Sequence, residues 1–577
     1  MEPASAASPM RRNETVAMRL ASAFRRHGVE VAFGQSLPSA FHLAAPEAGI
    51  RQAVYRAENA GGTMADGYAR ISNKVGVVTA QNGPAATLLV PPLAEALKVS
   101  VPLVALVQEV NRDQTDKNAF QELDHHALFA SCAKWIRRID QAGRIDDYVD
   151  MAFSTAVSGR PGPVVLLVPA DLLNESVQGA EQRSASLGRF PLDRAVPEAC
   201  RIEEAARLLA EAEAPLVHAG GGVHLSRATA ALAALQQDCH LPVGTTTMGK
   251  GTVDETHPLS LGVIGYYMGK GGRTHELRSM VRRADVVLLV GNRTNQNGTD
   301  SWQLLPRGAR YIHIDVDGQE IGRNYEAMRL VGDAKATLEA LREAMLRQDL
   351  AKRAAARAAV EREIGTAVEN WRALTAGIRS DSRLPIRPER VMAELDARLT
   401  PETIVTADAS YSSIWICNYL TARAAGARFL TPRGLAGLGW GLPLAIGAQI
   451  AAPERRVVCV AGDGGFAHTW AELETLKREG LPICIIVLNN QILGYQKDAE
   501  DAKFGAHTKA VYFAPVDHAA IARACGCRGV RIESVEAIGP ALDEAFASGE
   551  PTLLDIVTDS AARPPITSFE PHHPAPF

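Results

Sequence analysis

Short apolar runs rich in valine, isoleucine and leucine punctuate this chain. Each ends in glycine, asparagine or aspartate, and a helix-length stretch of mixed polarity follows. A run that is apolar at every position, rather than at every second one, predicts a strand covered on both faces, as in parallel sheets. The pattern recurs in three blocks. The first carries VEVAFGQ, VGVVTAQNGP, VPLVALVQE and PGPVVLLVP; the second APLVHAGGG, LPVGTTTMGKG, ADVVLLVGNR and ARYIHIDVD; the third TIVTADAS, RVVCVAGDGG, PICIIVLNN and PTLLDIVTD. Repeated strand–helix–strand succession predicts an α/β protein of three doubly wound parallel-sheet domains, over residues 12–175, 198–348 and 386–562. Polar linkers are expected at 175–197 and 349–385, the latter as a solvated, charged helix, LAKRAAARAAVEREIG.

A length of 577 residues suits several domains. A net charge of −4 leaves no footprint for nucleic acid or an anionic membrane, and no apolar run nears the ~20 residues that span a bilayer. The first residues lack the apolar core of a signal peptide. The eight cysteines are scattered, and Cys459 and Cys484, inside apolar runs, read as small core residues. The one close pair, Cys525 and Cys527, lacks the second pair that a zinc site needs. A reducing, cytoplasmic location is therefore expected. The C-terminal run, rich in proline and ending near His572 and His573, reads as a loose tail or a lid.

The third block carries the most chemistry. Its run Val457–Val460 is followed by Gly462-Asp463-Gly464, and its run Ile483–Leu488 by Asn489-Asn490. One crossover joins the two, so a carboxylate and a carboxamide stand at the carboxyl ends of two strands, where open α/β sheets bind ligands. Asp463 and Asn490, with the carbonyl of Ile492, form a set of hard oxygen donors suited to Mg²⁺ bearing a phosphate. Gly464 and Gly465 leave backbone N–H groups open to phosphate oxygens.

Gly462-Asp463-Gly464, then Asn489-Asn490 at this spacing, resembles the diphosphate motif of thiamine-diphosphate-dependent enzymes. The resemblance implies thiamine diphosphate and Mg²⁺ as cofactors, and pyrimidine-binding, central and diphosphate-binding roles for the three domains in chain order. It also implies a glutamate far upstream, and Arg56-Ala57-Glu58 matches that signature. Glu58 would hydrogen-bond the coenzyme's pyrimidine and favour the tautomer that takes the thiazolium proton. RGLAGLGWGLPLAIG resembles the segment that bends the coenzyme. Leu438 falls on its wedge position, and the carbonyl of Ala436 where the coenzyme's amino group is accepted. Asn82 and Gly83 match the loop near the thiazolium, and Tyr411 and Ser412 a diphosphate contact. In this family the glutamate and diphosphate blocks meet across a subunit interface, so a homodimer or dimer of dimers is implied.

Within the family the chain is most similar to acetolactate synthase catalytic subunits. That implies decarboxylation of a 2-keto acid and carboligation, with Phe120 and Gln121 lining the second-substrate side. A lyase acting on a 2-hydroxyacyl-CoA or a related carbonyl compound is the alternative. Two segments depart from the synthase pattern. Where the synthases carry an Arg-Phe-Asp-Asp-like segment beside a flavin, this chain has Gly291-Asn292-Arg293-Thr294. That argues against FAD, and leaves the central domain open to FAD, an ADP-like group at Gly220-Gly221-Gly222, or neither. Where the biosynthetic synthases place a substrate-selecting tryptophan, this chain has Ala499, with Lys497 nearby as a residue that could meet an acidic group. His125 and His126 form a pair like that of simple keto-acid decarboxylases, in a context that does not match.

Overall fold

The computed structural model describes residues 14–177 and 183–570. His572 and His573, and residues 1–13 of the N-terminal stretch read for a signal core, lie outside the described residues.

The apolar runs form three six-stranded sheets in which every strand pair is parallel. The first runs, edge to edge, through Arg51–Ala53, Val31–Phe33, Gly76–Ala80, Leu103–Glu109, Val164–Pro169 and Trp135–Arg138. The third repeats that topology with Arg428–Leu430, Ile404–Ala407, Val457–Gly462, Cys484–Asn489, Thr552–Val557 and Arg528–Ile532. The second has the order Ser260–Val263, Val243–Thr245, Pro215–Ala219, Val286–Val290, Arg310–Asp315, Ala327–Val331, the order of dinucleotide-type sheets. Strands such as Val164–Pro169, Val286–Val290 and Cys484–Asn489 are buried at every position, because helices cover both faces. In the third sheet the winding reverses between Ile404–Ala407 and Val457–Gly462. Loops leaving those strands diverge to opposite faces and open a crevice at their carboxyl ends.

The first and third sheets are joined by two helices, Glu58–Ser72 and Gly441–Ala451, which pack backbone to backbone. A Cβ at Gly447 would lie 1.9 Å from the carbonyl oxygen of Met64, and one at Gly67 would lie 2.4 Å from that of Leu444. Arg70, in the last turn of the first helix, ties the pair further. Its guanidinium donates to the carbonyl of Thr431 at 3.0 Å, and its own carbonyl accepts from Arg428 at 2.6 Å. Gly447→Ala is therefore expected to force the helices apart and cost about 1–3 kcal/mol. Denaturant unfolding of the purified variant measures it, and unchanged stability would mean the contact yields freely.

The helix expected in the 349–385 linker is present as Ala351–Arg379, but it is not solvated all round. Ile364, Ala367 and Trp371 are buried, and the Trp371 ring lies 5.7 Å from that of Tyr419. One face of the helix thus binds the central and third sheets together. Beyond the last strand the chain returns to the central sheet, where the N–H of Thr567 donates to the carbonyl of Tyr266 at 2.9 Å.

Candidate active site

The strand Val457–Gly462 runs directly into a short helix that starts at Asp463. Asp463 is buried, and its Oδ2 accepts the N–H of Gln491 at 2.8 Å, which pins the third strand's carboxylate to the turn after the neighbouring strand. Burial raises its carboxyl to about 6, against the opposing pull of backbone N–H groups of Gln491, Gly464 and Asn490. Gln491 sits at φ +61°, and this tight turn sets Asn490 and Ile492 beside Asp463. The two asparagines have separate tasks. Asn489 is buried and donates to the carbonyl of Val516 at 3.0 Å and to Asp555 at 2.9 Å, so it holds the fold. Asn490 faces the crevice.

That crevice is open to solvent, and its empty space, open mouth included, is about 560 Å³. The expected residues Tyr411, Ser412, Leu438, Gly462, Asp463, Gly464, Gly465, Asn490 and Ile492 all line it. Space explains the glycines: a Cβ at Gly465 would lie 2.3 Å from Asp408 Oδ2, and one at Gly464 would lie 2.7 Å from the Phe513 ring. Two acids missed in the sequence shape the same walls. Asp408, at the end of the strand Ile404–Ala407, is buried and accepts backbone N–H groups from Ala409, Gly439 and Trp440. Its place at a strand end, like that of Asp463, was a readable signal. Asp498 accepts the Tyr411 hydroxyl and pairs with Arg563 at 2.8 Å. Nothing local to its helix marks it. Lys497 is engaged with Asp501 at 2.9 Å, and Ala499 is buried.

A second cluster forms in the first domain. The Asn82 amide donates to the carbonyls of Gln121 at 3.0 Å and Phe120 at 3.3 Å. Gly83 sits at φ +65°, and a Cβ there would lie 2.7 Å from the Gln121 carbonyl oxygen. The Gly83 N–H donates to His125 Nε2 at 2.9 Å. That contact requires the tautomer protonated at Nδ1, which faces Glu109 at 3.3 Å, itself paired with Arg138 at 2.7 Å. Both ring nitrogens of buried His125 are thus used in shaping the Gly83 turn, and exposed His126 is not directed alongside it. The likeness of this pair to decarboxylase histidines ends there. Phe120 is 85% exposed. Glu58 is half-buried at the start of its helix, and Glu472 from the third domain holds the preceding N–H groups of Arg56 and Ala57 at 3.1 and 3.0 Å. Within one protomer, Glu58, Asn82, Gly83, Phe120 and Gln121 do not line the Asp463 crevice, and Ala436 stands beside it, in the loop of Leu438, at φ +60°.

In the central sheet the triple glycine has a packing role. A Cβ at Gly220 would lie 2.2 Å from the Gly291 carbonyl oxygen, and the Gly222 N–H donates to that oxygen at 3.0 Å. The departing segment satisfies itself: Asn292 accepts from the Thr294 N–H at 2.9 Å, and Arg293 pairs with Glu320 at 3.2 Å.

Comparison with known proteins matches three family models to the three sheets. Residues 14–128 match the thiamine pyrophosphate enzyme N-terminal TPP binding domain, 202–341 the central domain, and 408–556 the C-terminal TPP binding domain. A probable acetolactate synthase large subunit of Methanococcus aeolicus is 33% identical over 554 residues, 92% of this chain and 90% of its own. The acetolactate synthase large subunit of Parasynechococcus marenigrum is 33% identical over 94% of this chain and 87% of its own. The acetolactate synthase isozyme 2 large subunit of Escherichia coli K12 is 30% identical over 93% of this chain and 94% of its own.

Proposed function

The chain belongs to the thiamine pyrophosphate enzyme family, and from that premise we propose that it is a thiamine-diphosphate-dependent carboligase acting on 2-keto acids, like the acetolactate synthases. The observation that carries this reading is the convergence of Asp463, Asn490, Ile492, Tyr411, Ser412 and Leu438 on one crevice at the winding reversal of the third sheet. The donor set of carboxylate, carboxamide and backbone carbonyl fits Mg²⁺, and Gly464 and Gly465 leave room for a diphosphate. When bound, the coenzyme supplies a nucleophilic carbon and an electron sink for decarboxylation. Glu58 holds and moves the proton at its pyrimidine ring. Ala436 offers a carbonyl to its amino group, Leu438 supports its bend, and Phe120 and Gln121 border the second substrate. The relatives' names favour this carboligase over the hydroxyacyl-CoA lyase.

Glu58 and exposed Phe120 lie away from their own protomer's crevice, which supports a site completed across a subunit interface in a dimer or dimer of dimers. The domains would divide at 12–175, 198–348 and 386–562. The packed triple glycine and the self-satisfied Asn292–Thr294 turn explain those residues without a nucleotide, so no step is assigned to FAD. Among the described residues no helix is long and apolar enough to cross a membrane, and none of the cysteines forms a disulfide, which supports a reducing cytoplasm as its location.

A panel of 2-keto acids, with thiamine diphosphate and Mg²⁺ added, tests the reading. Released CO₂ and a ligated 2-hydroxy-3-keto product, identified by mass, are expected. Cleavage of a 2-hydroxyacyl-CoA with no CO₂ from any keto acid would overturn it.

A further inference from the structure

The loop Arg433–Trp440 carries both Ala436 and Leu438, and its backbone is held at each end by a buried carboxylate. Glu95, fully buried on the helix Val90–Val99 of the first domain, accepts the N–H of Gly434 at 2.7 Å and that of Leu435 with its other oxygen. Asp408, 1% exposed in the third domain, accepts the N–H of Gly439 at 3.0 Å and that of Trp440 at 3.1 Å. Between these clamps Ala436 adopts φ +60°, a left-handed conformation that a non-glycine residue keeps only when its surroundings impose it. Glycine is required at both clamp points: a Cβ at Gly434 would lie 2.8 Å from Glu95 Oε2, and one at Gly439 would lie 2.6 Å from His468 Cβ. Burying two carboxylates carries a desolvation cost, and four N–H groups from one short loop offset it. Arg70 and Asp66 face Glu95, and His468 faces Asp408, without a direct ion pair to either in the described residues.

We propose that Glu95 and Asp408 are positioning residues that together fix the height of the Leu438 side chain and the Ala436 carbonyl against the coenzyme. The inference rests on the reading that this loop bends thiamine diphosphate. Each carboxylate comes from a different domain, so the loop is registered to both at once, and the helix Glu58–Ser72 is tied to the strand entering the loop through Arg70. The plain alternative is that Asp408 merely caps the helix Gly441–Ala451, beside whose first residue Trp440 lies. That role would affect stability and leave the coenzyme untouched.

The test uses the full chain with thiamine diphosphate and Mg²⁺, in Glu95→Gln and Asp408→Asn. An amide keeps the shape of each clamp but turns an N–H group against one of the loop's donors. Three quantities are read: proton–deuterium exchange at C2 of the bound coenzyme, coenzyme affinity, and backbone amide exchange of 433–440 in cofactor-free protein. We expect C2 exchange to slow by about tenfold or more, since small misplacements cost that much. Affinity should stay within about threefold, and loop amide exchange should quicken. Should Asp408→Asn fail to fold, Glu95→Gln decides alone. Wild-type C2 exchange in the folded variants would overturn the proposal. Glu58→Gln serves as the control for the underlying reading. If it abolishes C2 exchange while the clamp variants do not, only the clamp is wrong; if it leaves exchange intact, the reading itself fails.

Discussion

Glu58→Gln is expected to lower turnover by about 10²–10⁴-fold while leaving the affinity for thiamine diphosphate and Mg²⁺ nearly unchanged. Glu58 opens its helix half-buried, and among the described residues no hydrogen bond or ion pair occupies its oxygens. The backbone just before it is fixed from the third domain, because Glu472 holds the N–H groups of Arg56 and Ala57. Pro92 and Leu89 fill the space beside Gly62, one turn further along the helix. A carboxylate on so rigid a support, with no structural partner, is suited to exchanging a proton with a ligand. Glutamine keeps the shape and one hydrogen bond but cannot take or give that proton. Steady-state kinetics with a coenzyme titration separate the two effects. Turnover within about threefold of wild type would remove the role assigned to Glu58.

Asp463→Asn is expected to weaken Mg²⁺-dependent coenzyme binding by about 100-fold or more, because it takes away the one full negative charge offered to the cation. The effect should be confined to the loaded protein. Burial already pushes the Asp463 carboxyl up to about 6, so at neutral pH the ionised form is held at a cost. A neutral amide escapes that cost, and the cofactor-free variant should melt no lower than wild type. What should vanish is the rise in melting temperature that thiamine diphosphate and Mg²⁺ give the parent protein. Calorimetry with and without both ligands checks it. A variant that still gains the parent's full stabilisation would show that the cation is held elsewhere.

Much of this arrangement was legible in the sequence because its signals are local. An all-apolar run such as Ile483–Leu488 predicts a strand buried on both faces, and Asn490, just beyond it, then stands at the sheet's carboxyl edge. Asp463 declares itself in the same way. What could not be read are contacts between distant segments. Glu95 looks like an ordinary acid on an amphipathic helix, yet it meets a loop 339 positions away. Asp498 sits among Lys497, Glu500 and Asp501, where helical charge pairs are expected, and only the folded chain shows that it alone is turned inward to Tyr411. Local patterns also misled. The alanine-rich stretch of 349–385 reads as solvated because its buried apolar positions, among them Ile364, Ala367 and Trp371, are few against a charged background. The adjacent His125 and His126 read as a pair, but on the helix His125–Phe129 one is buried against Gly83 and the other faces solvent.

In the proposed assembly one coenzyme is gripped by Asp463 of one protomer and activated by Glu58 of its partner. Mixing two inactive variants tests it most directly. Glu58→Gln and Asp463→Asn subunits, dissociated and reassociated together, should regain about a quarter of wild-type activity, since half the assemblies are mixed and each mixed pair holds one intact site. If the reassociated mixture, verified to contain mixed pairs, stays as inactive as its parents, then no site draws Glu58 and Asp463 from different protomers, and the account is contradicted.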